Sequence, residues 1–424
     1  MGRGTLTCKA LSRMTYLAEI RAKWRVVLAT SLGQASGYSI VTYINNVFTP
    51  HLLKEFGWSK SNFALVGVAL FFGFLIQPIT GRLGDSFGVR RVALVGVIGG
   101  PLVFVGLSLM TGSLWQFFAL TLLHLIFTSG ATSVVIYSRL IAKNLELARG
   151  VCLAVAASAA PAVAALCVPS LTRFIAEHGW RMGYLVVAAC TAIGGVLALS
   201  LIPPSADVVE RVQLKRQESP PDYRSILRSR PLQLLIGSVF LCLLSFTLQT
   251  TQLKVVLMER GIDSAAGSLA ISLFATSTIV GRLLCGVALD RFPAYGVAAL
   301  FLGLPGVGLA LLAVGPAQPA VMSLAVGLLG LSMGSEGDVW AYLVAKYFRA
   351  EVYGTVLGLV LCAMALSTGI GALFLSQVLQ LNRGYTPFLL ASAVLVFIGS
   401  GLLLFLRDCA TNRAFPVQAQ PLAE

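Results

Sequence analysis

The sequence predicts an all-α membrane protein, with twelve transmembrane helices in two pseudo-symmetric six-helix bundles. Three observations predict it: an apolar excess spread along the whole chain, its division into twelve runs of membrane-spanning length, and a set of elements repeated at one offset.

Of the 424 residues, 57% are hydrophobic and 11% are charged, and the mean hydropathy is +0.85. Soluble proteins carry about 25% charged residues. A water-soluble fold with this balance would expose large apolar patches, so the excess must face lipid. The apolar runs extend from Trp24 to Leu406, which describes a membrane domain and not an anchored soluble one. The net charge of +14 raises the possibility of a nucleic-acid partner. The basic residues fall between apolar runs, however, where they set topology and meet anionic headgroups, so no nucleic-acid partner is expected. Six of the eight cysteines (Cys152, Cys167, Cys190, Cys242, Cys285 and Cys362) lie inside apolar runs. With no CxxC or Cys/His pattern, they predict neither a disulfide framework nor a metal site. Residues 1–25 are polar and basic, without the apolar core of a cleavable signal.

A span needs about 20 mostly apolar residues. Cutting at charged, Gly/Pro-rich or aromatic-flanked points gives spans 1 to 12 at 24–48, 62–82, 92–112, 115–138, 150–173, 182–202, 231–256, 265–288, 296–315, 318–344, 353–378 and 385–406. The predicted organisation is an N-terminal tail (1–23), a first bundle (24–202), a linker (203–230), a second bundle (231–406) and a C-terminal tail (407–424). The linker holds two proline pairs and six arginines or lysines between Pro203 and Arg230, a solvated composition. Seven of the 31 Lys and Arg (Lys54, Lys60, Arg173, Arg181, Lys254, Arg260 and Arg383) fall in the loops of one side and 24 on the other. The excess of positive charge predicts a multi-pass protein of the cell inner (plasma) membrane with both termini cytoplasmic.

The repeat is the sharpest signal. Gly81 and Asp85 close span 2, and Gly286 and Asp290 close span 8, with the copies 205 residues apart. Ala142-Lys143 with Gly150 matches Ala345-Lys346 with Gly354 at an offset of 203 to 204. Two pairs at one offset indicate a duplicated six-helix unit, whose substrate site is expected near mid-membrane where the halves meet. The glycine is expected to let a neighbouring helix approach closely. The aspartate is expected to face a helix N-terminus or an arginine across the interface. Gly81, Asp85, Arg90, Arg91, Gly286, Asp290 and Arg291 are thus candidates for a conformational latch.

The run Gly81-Arg82-Leu83-Gly84-Asp85-Ser86-Phe87-Gly88-Val89-Arg90-Arg91 resembles the cytoplasmic loop signature of the major facilitator superfamily, and the span count and central linker fit that fold. Within the superfamily, Phe56-Gly57-Trp58-Ser59, Gly179-Trp180-Arg181 and Gly281-Arg282-x-x-x-Gly286 resemble the monocarboxylate porter and oxalate–formate antiporter branch. The resemblance implies that Arg282 binds a substrate carboxylate. This chain departs from the branch in having Thr278 where those porters place an aspartate. Their span-one lysine falls near Tyr43, and the antiporter's span-eleven lysine has no counterpart.

Ionisable groups inside spans are costly and are functional candidates by default. An arginine stays charged and holds a carboxylate bidentately, which suits Arg282 to anion binding. The competing assignment is a structural ion pair with Glu336 or Asp338. Those two carboxylates lie two residues apart, about 200° around a helix, so they cannot both face a cavity. One is a candidate for proton coupling and the other for pairing with Arg282 or Arg349. His124, mid-span, is a candidate for coupling or for a hydrogen bond to a neighbouring helix. Tyr38, Tyr43 and Asn46 on span 1 and Gln249 and Gln252 on span 7 are expected to line the midplane cavity. No nucleotide-binding or hydrolase motif occurs, so no cofactor and no enzymatic activity are expected.

The sequence therefore predicts a secondary active transporter moving a small organic anion, a mono- or dicarboxylate, by alternating access. Proton symport and anion exchange both fit. Its partners would be the anion, a proton or counter-anion, and the lipid bilayer, and a monomer is compatible with the sequence. The alternatives are proton-coupled efflux of a hydrophobic compound and a non-transporting membrane sensor.

Overall fold

The computed structural model describes residues 16–69, 72, 87–132, 134–145, 147–203, 227–348, 352–382 and 384–407. All regular structure among them is helical. Among the described residues, seven helices are long and apolar enough to cross a membrane by length and composition, and spans 1, 4 and 7 are made of shorter, interrupted helices; most of span 2 lies outside the described residues. Their outward faces carry leucine, valine and isoleucine side chains such as Leu102, Leu166, Ile193 and Leu300, all more than half exposed. This is the pattern of a bundle whose solvent is lipid. The six described cysteines are free thiols.

Helix ends follow local chemistry. Span 1 ends where Gly57 adopts a left-handed conformation (φ 63°), open to glycine without steric cost. Span 2 then starts at Lys60, where the Ser59 hydroxyl accepts from the Asn62 N–H at 3.1 Å. Trp58 donates to the Gly112 carbonyl at 2.8 Å, tying this turn to the one between spans 3 and 4. In the second half, Arg260 donates to the Gly315 carbonyl in the turn between spans 9 and 10. Gly112 and Gly315 are 203 residues apart, so the repeat is also written in tertiary contacts. Pro101 in Val89–Ser108 (span 3) and Pro305 in Ala294–Val314 (span 9) share nearly the same offset.

Several expected boundaries change. Span 1 is not continuous but consists of Trp24–Ala35, a 3-10 turn Tyr38–Ile40 and Val41–Phe56. The interruption lies at Gly37, where a Cβ would meet the carbonyls of Thr132 and Gly33 at 2.5 and 2.7 Å. Span 7 is likewise split into Arg230–Cys242, Phe246–Thr251 and Leu253–Glu259. Span 4 divides into Leu114–Ala131 and Val134–Asn144. Spans 5 and 6 run as Arg149–Leu201, bent at Gly179 (φ 83°). Ahead of span 1, the expected tail contributes a helix, Tyr16–Ala22, whose buried Glu19 accepts from the Ala148 N–H at 2.7 Å.

The apolar core shows how the halves meet. One end of the bundle carries the start of span 1, the end of span 12 and the described residues that flank the linker, Pro203 and Leu227; we call it the linker face, and the opposite end the seam face. Toward the seam face a single cluster draws on both halves, joining Val47, Phe48 and Val168 to Leu253, Ile271 and Phe274. Toward the linker face the core is in two parts. One is built from the first half (Val26, Val92, Tyr137, Ala198) and the other from the second (Leu235, Phe301, Trp340, Val356). Among the described residues, the halves share a core at the seam face and keep separate cores at the linker face.

Candidate functional site

The seam between the halves is hydrogen-bonded. Asn46 on span 1 donates from Nδ2 to the Gln249 carbonyl at 3.0 Å, and its Oδ1 accepts from the Lys254 backbone N–H at 3.3 Å. Thr49 donates to the Thr251 carbonyl at 2.7 Å. The Thr172 and Ser268 hydroxyls, on spans 5 and 8, bond at 2.8 Å. At the rim, Lys60 pairs with Glu259 and lies 5.8 Å from the Tyr385 ring centre. The interruptions in spans 1 and 7 sit behind these contacts, as in transporter sites built on discontinuous helices.

The quoted motifs have structural explanations here. Glu55 accepts from Trp180 Nε1 and from Arg181 at 2.6 Å, while Arg181 also donates to the Met110 carbonyl at 3.3 Å. The two aromatic-glycine motifs of the first half thus converge at the seam face. The hydrogen bonds from Trp180 and Arg181 hold the Glu55 carboxyl below the ordinary range.

Arg282 lies on Ser264–Arg291 (span 8), packed against Pro319–Tyr347 (span 10). The two backbones almost touch: a Cβ at Gly281 would meet the Leu331 carbonyl at 2.0 Å, and one at Gly334 the Thr278 carbonyl at 1.9 Å. This approach places Arg282 Nε 3.3 Å from both Asp338 Oδ2 and the Gly334 carbonyl. The guanidinium's two Nη groups have no hydrogen-bond partner among the described residues. The Arg282 side chain is 21% exposed and that of Asp338 is 58% exposed. Across the interface, Tyr43 presents its hydroxyl to Thr278, with the Arg282 charge close by. Its ring packs 6.1 Å from that of Phe274. Arg282 therefore stands between span 10 of its own bundle and span 1 of the other.

Glu336 faces differently from Asp338, as their spacing requires. It lines a small cavity with Gln249, Ser332, Leu243 and Phe246, at the interruption of span 7, and its Oε1 has no hydrogen-bond partner among the described residues. The cavity has room for about one water molecule. Gln249 donates to Ser245 Oγ at 2.9 Å.

The other predicted residues disperse. Asn46 is in the closed seam, and Gln252, fully buried, accepts from Tyr385. Tyr38 packs against Ala69 and Leu125. His124 is buried against Phe104, ring centres 4.8 Å apart, and neither ring nitrogen has a hydrogen-bond partner among the described residues, so the expected bond to another helix is not made. At Gly286 nothing among the described residues lies within 4 Å of a Cβ placed there, so no close approach is made to it by them. Asp290 and Arg291 are exposed, as is Arg91. Arg90 keeps an interaction of its own. Gly81, Asp85 and Arg349 lie outside the described residues.

One residue went unrecognised. Lys254, expected in a loop, is fully buried in the seam, its Nζ 2.8 Å from Ser268 Oγ. The signal available was its position: only two residues after the polar run Gln249 to Gln252, inside the predicted span.

A sequence profile of the Major Facilitator Superfamily matches residues 30–372. Two characterised relatives are similar along most of the chain. MFS transporter asaE of Aspergillus flavus is 22% identical, covering 92% of this chain and 87% of that one. Monocarboxylate transporter 13 of Rattus norvegicus is 24% identical, covering 90% and 88%. Among solved structures, the nucleoside transporter NupG superposes with a TM-score of 0.70 at 12% identity, over 93% of this chain and 100% of that one. A POT family transporter in complex with 5-aminolevulinic acid gives 0.68 at 14%, over 92% and 97%. These structural likenesses speak to the fold. With two helical halves sharing a core along one seam, and with the profile matching across both, the chain belongs to the Major Facilitator Superfamily.

Proposed function

We propose that this transporter moves a small organic anion, a mono- or dicarboxylate, across the inner membrane by alternating access. The observation that carries this reading is Arg282. Its Nε is tied to Asp338 and the Gly334 carbonyl, its Nη groups have no hydrogen-bond partner among the described residues, and its charge lies close to Tyr43 of span 1. An arginine so oriented offers a fork that matches a carboxylate, and its permanent charge disfavours a cationic substrate. The relative named as a monocarboxylate transporter supports the same class.

With both termini cytoplasmic, as the distribution of Lys and Arg favours, the linker face is the inner one. The structure is then the inward-open state, with the hydrogen-bonded seam closing the outer side. Asp338 neutralises Arg282 between cycles, and an arriving carboxylate takes over part of that role. Glu336 is the candidate proton carrier, because a carboxylate oxygen without a donor partner is costly to keep charged. Proton symport uses Glu336, whereas anion exchange does not need it.

Purified protein in proteoliposomes, offered labelled mono- and dicarboxylates with and without a pH gradient, tests the reading. Uptake of a carboxylate, accelerated by an inward proton gradient and slowed by Glu336→Gln, is the expected result for symport. Carboxylate exchange indifferent to the gradient selects antiport. No carboxylate movement in either condition refutes the substrate class.

A further inference from the structure

Among the described residues, the buried amine of Lys254 has no counter-ion. Its side chain is fully buried in the seam, and its amine donates to the Ser268 hydroxyl, which in turn bonds Thr172 of the other half. The described acidic residues at this face are already engaged. Glu55 holds Trp180 and Arg181, Glu259 holds Lys60, Asp263 caps span 8, and Glu177 lies 3.9 Å from His178. An amine buried among hydroxyls, with no carboxylate to meet it, is expensive unless the site serves another state.

Its surroundings indicate that state. The seam is closed by hydroxyls and amides of Asn46, Thr49, Thr172 and Ser268, groups that water can satisfy when the halves part. Along span 1 toward the surface, His51 is half-buried and near enough for its charge to interact with that of Lys254, and Lys54 beyond it is exposed. An amine at the bottom and a second amine at the rim, with an imidazole between them, form a positive approach. Such an arrangement concentrates and steers anions.

We propose that Lys254 is an anion-binding residue of the outward vestibule, which takes the substrate carboxylate when the seam opens. In the sealed state the Ser268 and Thr172 hydroxyls occupy the carboxylate's place. The proposal rests on the carboxylate reading above and adds a second contact, used from one side of the membrane only. Arg282 serves the path near the linker face, and Lys254 serves entry through the seam.

The test uses the full-length protein in vesicles with the seam face outward. Sulfosuccinimidyl acetate, which does not cross the bilayer, is applied with and without acetate, lactate, pyruvate, oxalate or succinate, or their amides, and acetylation of Lys254 is read by peptide mass spectrometry. We expect labelling that at least one carboxylate suppresses several-fold and that the amides leave unchanged. An unlabelled Lys254, or labelling indifferent to every carboxylate, overturns the proposal. In transport, Lys254→Gln should raise KM about tenfold or more for substrate arriving at the seam face, the loss of one charge-assisted hydrogen bond. KM from the linker face should stay unchanged, and Lys254→Arg should restore the seam-face value. An equal KM change from both faces, or none, overturns it. Lys254→Met serves as the folding control, with thermal stability at or above that of the natural protein because an apolar side chain replaces a buried amine. Protection of Lys254 without carboxylate transport refutes the transport reading and keeps the site. Transport indifferent to Lys254→Gln does the reverse.

Discussion

Replacing Asn46 with alanine should shift the protein from its sealed seam toward the open one. Asn46 makes two bonds across the interface, donating to the Gln249 carbonyl and accepting from the Lys254 N–H. In Asn46→Ala both groups stay buried but lose their partner, at about 1–3 kcal/mol for a buried group so orphaned. In the open seam water replaces the amide at little cost. With two groups orphaned the difference is about 2–6 kcal/mol and falls almost entirely on the sealed state, so the equilibrium should move roughly thirtyfold or more toward opening. Spin labels at Lys54→Cys and Ala265→Cys, exposed residues on opposite sides of the seam, in a background lacking the eight natural cysteines, report it by electron–electron distance measurement. A long-distance population that grows in Asn46→Ala is the expected result. An unchanged distribution together with a lowered melting temperature would show that Asn46 stabilises the fold without biasing the seam.

The rim pair predicts a smaller effect of the same sign. Glu259→Gln should shift the same distances by a few-fold at most, since a partly exposed ion pair contributes about 0–1 kcal/mol, and the swap of Lys60→Glu with Glu259→Lys should recover the original distribution. Gly334→Ala should destabilise the second bundle by about 1–3 kcal/mol or more, because its Cβ would strike the Thr278 carbonyl, a backbone atom that cannot rotate away; thermal unfolding measures this. Glu55 predicts an acid dependence. Its carboxyl is held below the ordinary value in the folded protein, so its contribution is complete above the unfolded carboxylate range of about 4.3 and disappears as pH falls through the lower folded value. Glu55→Gln should lower the melting temperature at neutral pH and flatten its decline below about pH 4. An identical decline in both proteins would remove Glu55 from that account.

Much of the architecture was legible because it rests on signals that survive in one dimension. Span length, charge between spans and the duplicated Gly-to-Asp spacing are all linear quantities. The interruption of span 1 leaves a trace in Gly37, but that of span 7 falls at Leu243 to Ser245, with no glycine or proline to mark it. The pairing of Arg282 with Asp338 was one of two carboxylate choices that helix geometry left open, and the close approach at Gly281 and Gly334 decided it. Asn46 and Gln249, expected to line the midplane cavity, are joined by a hydrogen bond across the two halves. Whether they line an open path or close a seam depends on the conformational state, which no local pattern encodes. Lys254 was misplaced because a basic residue at the end of an apolar run reads as a loop. Only the neighbouring half, supplying Thr172 and Asn46, turns that position into an interior.

Equilibrium binding of a transported carboxylate to the natural protein and to Arg282→Gln tests the central claim most directly. Loss of a charge-assisted contact of about 1.5–3 kcal/mol predicts that Kd rises at least tenfold in the variant, with Arg282→Lys in between. An unchanged Kd in Arg282→Gln would contradict the account and leave Arg282 as a structural partner of Asp338.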